Sequence, residues 1–399
     1  METAWEVKQM NTQTPSDVLI RAATICPVTS ESFTGDLFIS DGKIVQMGPQ
    51  IPQKGAHIIQ GEGMYLYPGM IEGHCHIGIM GDRTNQARDN DTNEMTNPNT
   101  AELYALDGIK PFDAAFKVAL SCGVTTVNVF PGSANPIGGM GVALKNNLSI
   151  PFERRILVEE SGLKMAFGEN PRMVYSAQKK IYTRMGTAQV IRKAFQNAIN
   201  YAKKEEKETD LQMEALLKVL EKKVKARIHA HRADDICTAI RISEEFNFDL
   251  TIEHATEAHL IADYVGKKGI ELNLGPLFTG RYKMEINQRS LRNPGILEKA
   301  GSPNLSLITD FPVIPIYDLP LMATMAVREG LSEHAAIKAI TIHPARVLGV
   351  DERIGSIEVG KDADLILTDR PLLDPTHRIM MTFVDGIVQY DHEKEGMMI

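Results

Sequence analysis

The sequence predicts an α/β protein, a (β/α)8 barrel carrying a small β domain built from both chain ends. Two observations predict it. In the middle of the chain, about eight short runs rich in β-branched residues each precede a longer helical pattern, the signature of βα units and a parallel sheet. Eight such units close a barrel. At both ends, short strand patterns punctuated by Gly and Asp can pair into one sheet, with everything between them inserted.

The elements follow in order. Val18–Ile25 reads as a strand, and Asp36–Val45 alternates around Asp41-Gly42, a two-residue hairpin signal because Gly tolerates positive φ. The central runs end near His76, Val129, Lys145, Gly168, His231, His254, Pro276 and Asp310. After the fifth run, Ile236, Ala239, Ile240 and Phe246 share one helix face. Lys203 to Lys225 mixes Lys with Glu around Leu211, Leu217 and Leu220, which predicts a solvated surface helix. The segment from Gly81 to Pro111 is long, polar and acidic, and loops of that length are often functional. Near the C-terminus, Gly355–Leu367 and Met381–Val388 return to the strand pattern. The expected division is therefore a composite β-sandwich domain from 1–66 and 351–399 around a barrel at 67–350.

Composition narrows the function. The 399 residues carry 43 Lys and Arg against 51 Asp and Glu, a formal net charge of -8. Phosphate binding needs a clustered basic surface, so a nucleic-acid partner is not expected. Aromatic residues make up 6% with one Trp, too few for a base-stacking platform. No run approaches the ~18 apolar residues of a membrane span, and the first residues lack the pattern of a secretory signal. Cys26, Cys75, Cys122 and Cys237 are scattered without Cys-x-x-Cys spacing. Reduced thiols and a cytoplasmic location are expected.

The chemistry is written at the run ends, because the reactive face of a (β/α) barrel lies at the carboxyl ends of its strands. The first run closes on Pro68-Gly-Met-Ile-Glu-Gly-His74-Cys75-His76. Two His separated by one residue point to the same side of a strand and can grip one metal. The fifth run supplies His229 and His231, the sixth His254 and the last Asp310. Any one of these could be a packed core residue. Imidazoles and an aspartate closing four separate strands are hard to explain as packing. Cys75 points away from its two neighbours by alternation and reads as a small buried residue. Asn135 and the glycines around it follow the second run, where they could line the pocket or simply make a turn. Asp89, Asp91 and Glu94 could meet a basic substrate group or simply be solvated.

With these residues in place, the chain resembles the amidohydrolase superfamily from end to end. The His-Cys-His strand, single His residues closing two later strands, the terminal Asp and the tail Gly355-Ser-Ile-Glu-Val-Gly-Lys-Asp-Ala-Asp-Leu carry the resemblance. More narrowly it is similar to the imidazolonepropionase- and prolidase-related branch. There the matching segments are Gly132-Ser-Ala-Asn-Pro-Ile-Gly-Gly, Gly162-Leu-Lys-Met-Ala-Phe-Gly-Glu-Asn-Pro and His229-Ala-His-Arg-Ala-Asp-Asp-Ile.

The resemblance implies the roles. His74, His76 and Asp310 would hold the more buried metal, and His229 and His254 a second. Lys164 would be the carboxylated lysine that bridges two ions, with Glu169 an alternative carboxylate and Lys145 a weaker lysine candidate. Zn is the expected metal, since His and carboxylate donors suit it. Asp310 would take a proton from the attacking water and return it to the leaving nitrogen. Of His229 and His231, the family pattern favours His229 as ligand and leaves His231 to contact substrate or act as a supporting donor. Arg232 stands where related deaminases carry a Glu, which argues against deamination and makes Arg232 a substrate-binding candidate. Phe311 replaces the His of the usual Asp-His-Pro.

The implied reaction is hydrolysis of a C–N bond in a cyclic amide, an N-acyl compound or a dipeptide, with one or two divalent ions. The alternatives are a mononuclear imidazolonepropionase-like lactam hydrolase and a barrel that lost catalysis and serves as a scaffold. A small-molecule substrate and a homo-oligomer are the expected partners.

Overall fold

Turn chemistry sets the first ladder. β1 (Val18–Ile25) pairs antiparallel with β2 (Phe33–Ser40), which turns into β3 (Lys43–Gly48) through Asp41 and Gly42. Both turn residues have positive φ, 49° and 75°, the twist a tight hairpin needs. In this computed structural model, which describes residues 17–52, 55–80, 90–280 and 283–396, the two chain ends share one sheet. Its remaining strands are β4 (His57–Gln60) and β5 (Tyr65–Pro68) from the N-terminal part. The C-terminal part adds β14 (Leu365–Thr368), β15 (Ile379–Val384) and β16 (Ile387–Asp391). The order is β16-β15-β14-β5-β1-β2-β3, with β4 beside β1. Ile20, Ile25, Leu37, Leu66, Leu365 and Phe383 give this sheet its own apolar core.

The second sheet has eight strands in strict sequence order. They are β6 (Met70–Cys75), β7 (Val124–Val129), β8 (Ile137–Lys145), β9 (Ile156–Ala166), β10 (Ala226–Ala230), β11 (Leu250–His254), β12 (Glu271–Leu274) and β13 (Ser306–Leu307). The barrel is nearly closed. Across the β13–β6 seam, the His76 N–H donates to Phe311 O at 2.8 Å and the Ile71 N–H to Ile340 O at 2.9 Å.

One strand departs from the expected parallel set. β8 runs antiparallel to both β7 and β9. The loop 130–136 before it is too short for a crossover, which takes a dozen or more residues. The reversal sends Lys145 to the opposite end of the barrel from the other run ends. There its ammonium meets Asp362 (2.7 Å), Asp364 (3.2 Å) and Asp385. Lys145 is therefore removed from the list of bridging candidates.

The helix Ala233–Phe246 buries Ile236, Ala239 and Ile240 as its pattern predicts, with Phe246 packed alongside. The helix in the charged stretch Lys203–Lys225 before it is shorter than predicted: 203–210 is not helical, and Asp210 caps a helix at Leu211–Leu220 through Gln212 N and Met213 N. That helix buries Ala215, Leu216 and Val219 and leaves Leu211 outside. No helix among the described residues is long and apolar enough to cross a membrane. Cys26, Cys75, Cys122 and Cys237 are all free thiols, and Cys75 faces Asn128 O, away from its flanking His residues.

Candidate metal centre

Alternation along β6 puts Glu72, His74 and His76 on the inner side of the barrel, and along β10 it does the same for Arg227, His229 and His231. On β11, Glu253 and His254 are adjacent and strict alternation would separate them. His254 has φ 70° and Asp310 φ 55°, and these left-handed turns at the strand ends swing both side chains over the mouth. Such conformations cost of order 1–3 kcal/mol each and persist where the surroundings over-determine them, typically at functional sites.

The result is one buried cluster. Ligand atoms of His74, His254 and Asp310 lie within 4.8 Å of one another, and so do those of His229, His231 and His254. His76 Nε2 is 3.3 Å from Asp310 Oδ1, and His74 Nε2 is 3.6 Å from it. His76 Nδ1 contacts Phe130 O at 2.7 Å and His254 Nδ1 contacts Gly275 O at 2.8 Å. A carbonyl only accepts, so each Nδ1 carries a proton and each ring turns its Nε2 to the centre. At His76 that nitrogen faces the Asp310 carboxylate across the mouth. Both ring nitrogens of His229 and Oδ1 of Asp310 are buried without a hydrogen-bond partner. Buried polar atoms without a partner are rare in native structures, and a divalent cation among them would give the free lone pairs one. The donor set fits a metal.

Electrostatics agree. Burial holds His74, His229 and His254 well below the usual histidine range and His231 down at about 4, so these rings are neutral donors. Burial by itself would raise Asp310, but His254, His76 and His74 outweigh it and keep the carboxylate ionised. Lys164 Nζ sits 2.9 Å from His74 Nε2, and burial lowers it to about 8. A lysine so lowered has a sizeable fraction of neutral amine at pH 7, the form that reacts with CO2.

Beneath the imidazoles lies a polar layer that sequence reasoning missed. His74 Nδ1 is 3.0 Å from Glu253 Oε2, off the line of an ideal hydrogen bond. Glu253 also takes Arg227 Nε and, at 2.9 Å, Asn273 Nδ2. Gly162 makes room for this arginine, since a Cβ there would stand 2.2 Å from Arg227 Cγ. Glu72 accepts Thr309 N and Oγ1 and His74 N, and burial pushes its carboxyl up to about 8. A second missed residue is Glu285, 1% exposed, whose Oε1 lies 3.7 Å from His231 Nε2 and 3.9 Å from His229 Nε2. The signal available in the sequence was charge inside buried strands, at Arg227 and Glu253. Glu285 sits in the short 3-10 turn Met284–Ile286 and gave none.

The mouth opens into a cavity of about 200 Å³ lined by His76, His229, His231, Asn170, Lys283, Arg289 and Asp310 among others. Two predicted substrate contacts lie elsewhere. Asn135 donates to Glu94 O and Thr100 Oγ1, both at 2.7 Å, and accepts from Tyr175, so it clamps loops. Arg232 is paired with Asp234 at the surface, 3.0 and 3.1 Å away. Glu169 contributes its backbone N–H to Glu285. Phe311 packs into the apolar core. Asp91 and Glu94 line a neighbouring cavity, and Asp89 lies outside the described residues.

The profile of the amidohydrolase family matches residues 65–390. The chain belongs to the amidohydrolase family. Its crystal-structure relative from Thermotoga maritima MSB8, an amidohydrolase, superposes with a TM-score of 0.90 at 43% identity, covering 94% of this chain and 100% of that one. Amidohydrolase tasK of Hapsidospora irregularis is 28% identical over 393 residues, which is 90% of this chain and 40% of that protein, so this amidohydrolase spans about two fifths of that relative's length. A prolidase solved with n-methylphosphonate-l-proline shares the fold at a TM-score of 0.59 and 15% identity, covering 94% of this chain and 99% of that one.

Proposed function

We propose that this amidohydrolase hydrolyses a C–N bond in a small molecule, using a divalent metal, most simply Zn, held at the barrel mouth. The observation that carries the reading is the set of buried ligand atoms without hydrogen-bond partners, Asp310 Oδ1 and both nitrogens of His229, beside His76 Nε2 at 3.3 Å from that oxygen. His74, His76 and Asp310 would hold one ion, with His229 and His254 turned to a second. Lys164 would bridge them as a carbamate. A bound ion lowers the pKa of a coordinated water from 15.7 towards ~7 and polarises the substrate carbonyl.

The chain's own groups do the rest. Asp310, ionised and pointed at the mouth, accepts the proton of the attacking water and delivers it to the departing nitrogen. Glu253 and Arg227 fix the ring of His74. Lys283 and Arg289 at the mouth suit a substrate that carries a carboxylate, as N-acyl amino acids and dipeptides do. We also read 1–66 and 351–399 as a composite domain bracing a barrel at 67–350, and the free thiols as those of a cytoplasmic protein.

The test is metal content together with turnover. Freshly purified protein should hold bound Zn or a similar ion, a chelator should abolish hydrolysis across a panel of N-acyl amino acids, dipeptides and lactams, and metal should restore it. Metal content near one ion per chain would favour the mononuclear lactam-hydrolase alternative. Undetectable metal with inertness to the whole panel would favour the scaffold.

A further inference from the structure

The polar groups on the β10 side of the mouth exceed what the metal reading assigns there. His231 and His229 share a face of β10, and their rings stand 4.7 Å apart, with His254 4.4 Å from His229 and 4.8 Å from His231. His231 Nδ1 is tied to Thr256 Oγ1 at 2.7 Å, which leaves its Nε2 for the centre. Glu285 is held from behind. Its Oε2 accepts the Glu169 N–H at 2.8 Å, and it passes over Gly168 (φ 87°), where a Cβ would stand 2.4 Å from that oxygen. The other oxygen, Oε1, is buried, accepts no hydrogen bond and faces His231 Nε2 at 3.7 Å and His229 Nε2 at 3.9 Å. Lys283 Nζ is also 3.7 Å from it, outside hydrogen-bond range.

We infer that Glu285 and His231 are ligands of the second ion, completing with His229 and His254 a cage of three imidazoles and one carboxylate. Ligands on an ion with bonds of ~2.0–2.2 Å lie roughly 3.4 Å apart in a tetrahedron. The edges from Glu285 to His231 and His229, 3.7 and 3.9 Å, are near that size, and the ligand atoms of the three imidazoles stand within 4.8 Å of one another. The two histidines of β10 then act together, and the second ion is held whether or not Lys164 carries CO2. The inference rests on the metal-dependent reading, and its test separates the two.

The protein would be stripped with chelator, reloaded with Co(II) or Zn(II), desalted and assayed for metal by mass spectrometry, with the Co(II) visible spectrum as a second readout. Glu285→Gln and His231→Asn are each expected to lose about one ion per chain, to weaken the second ion's binding on the order of 100-fold, and to change the Co(II) spectrum. Lys164→Ala should keep both ions. Glu285→Gln is nearly isosteric and retains an acceptor for Glu169; should either variant fail to fold, the other carries the test. The inference is overturned if a folded Glu285→Gln or His231→Asn protein keeps the full metal count and the wild-type spectrum, or if Lys164→Ala alone loses the second ion. Absence of metal from the wild-type protein would instead sink the metal-dependent reading itself.

Discussion

Two buried charge clusters sit at opposite ends of the same barrel, and their hydrogen bonding differs. At the base, Lys145 meets Asp362, Asp364 and Asp385, while Lys43 and Arg353 close on Asp362 from the terminal sheet. Three cations and three carboxylates share that cluster, with Lys145 touching every carboxylate and Asp362 every cation. At the mouth, Asp310 Oδ1 and both nitrogens of His229 have no hydrogen-bond partner, and His254 and Asp310 sit on left-handed backbone. A charge-balanced cluster holds parts together. An unsatisfied, strained one is built for something added later.

Substitutions should separate these roles. Asp310→Asn removes the proton acceptor, and turnover should fall by about 10²–10⁴-fold while the melting temperature changes little in metal-free protein. A comparable fall for the base-cluster variant Lys145→Met would erase the distinction between the clusters. That variant is expected to be destabilised by about 3–5 kcal/mol, because three carboxylates lose their shared cation, with turnover per folded molecule preserved; equilibrium urea unfolding measures the loss. Glu253→Gln should cost about 10–100-fold in metal affinity through misplacement of His74, read by competition with a chromogenic chelator.

Acid gives the smallest effect and sharpens the contrast. Burial would raise Asp362, but Lys145, Lys43 and Arg353 outweigh it and hold it at about 2 against an ordinary 3.8. A depressed carboxylate stabilises the fold above pH 3.8 and loses that contribution as pH falls towards 2. Asp364, pushed up to about 6 by burial, is already protonated in that window. Metal-free protein should therefore lose stability between about pH 4 and pH 2, and Lys145→Met should show a shallower slope. An equal slope in both would mean that the base cluster does not hold Asp362 down.

The sequence made the mouth more legible than the base. His74, His76, His229, His254 and Asp310 were readable because each closes a strand-like run, and strand ends of a barrel converge wherever they lie in the chain. Lys164 was readable only through the family resemblance, and it lands beside His74. Lys145 looked similar in sequence and was misplaced, because period-2 alternation says nothing of strand direction and the short loop 130–136 forces a reversal. Asn135 was assigned because it follows the second run, and Arg232 because it stands where related deaminases carry a Glu. Loop clamping and helix-start pairing claim their side chains instead. Glu285 was invisible because its approach to His231 depends on a loop conformation and on the missing Cβ of Gly168.

The most direct test is an anomalous-difference map at the zinc edge from crystals of zinc-loaded protein. The account predicts density at the mouth, within ~2.0–2.2 Å of His76 Nε2 and an Asp310 oxygen, and none among Lys145 and its aspartates. An empty mouth in crystals of protein that still hydrolyses an amide, or zinc bound only at the base, would contradict it.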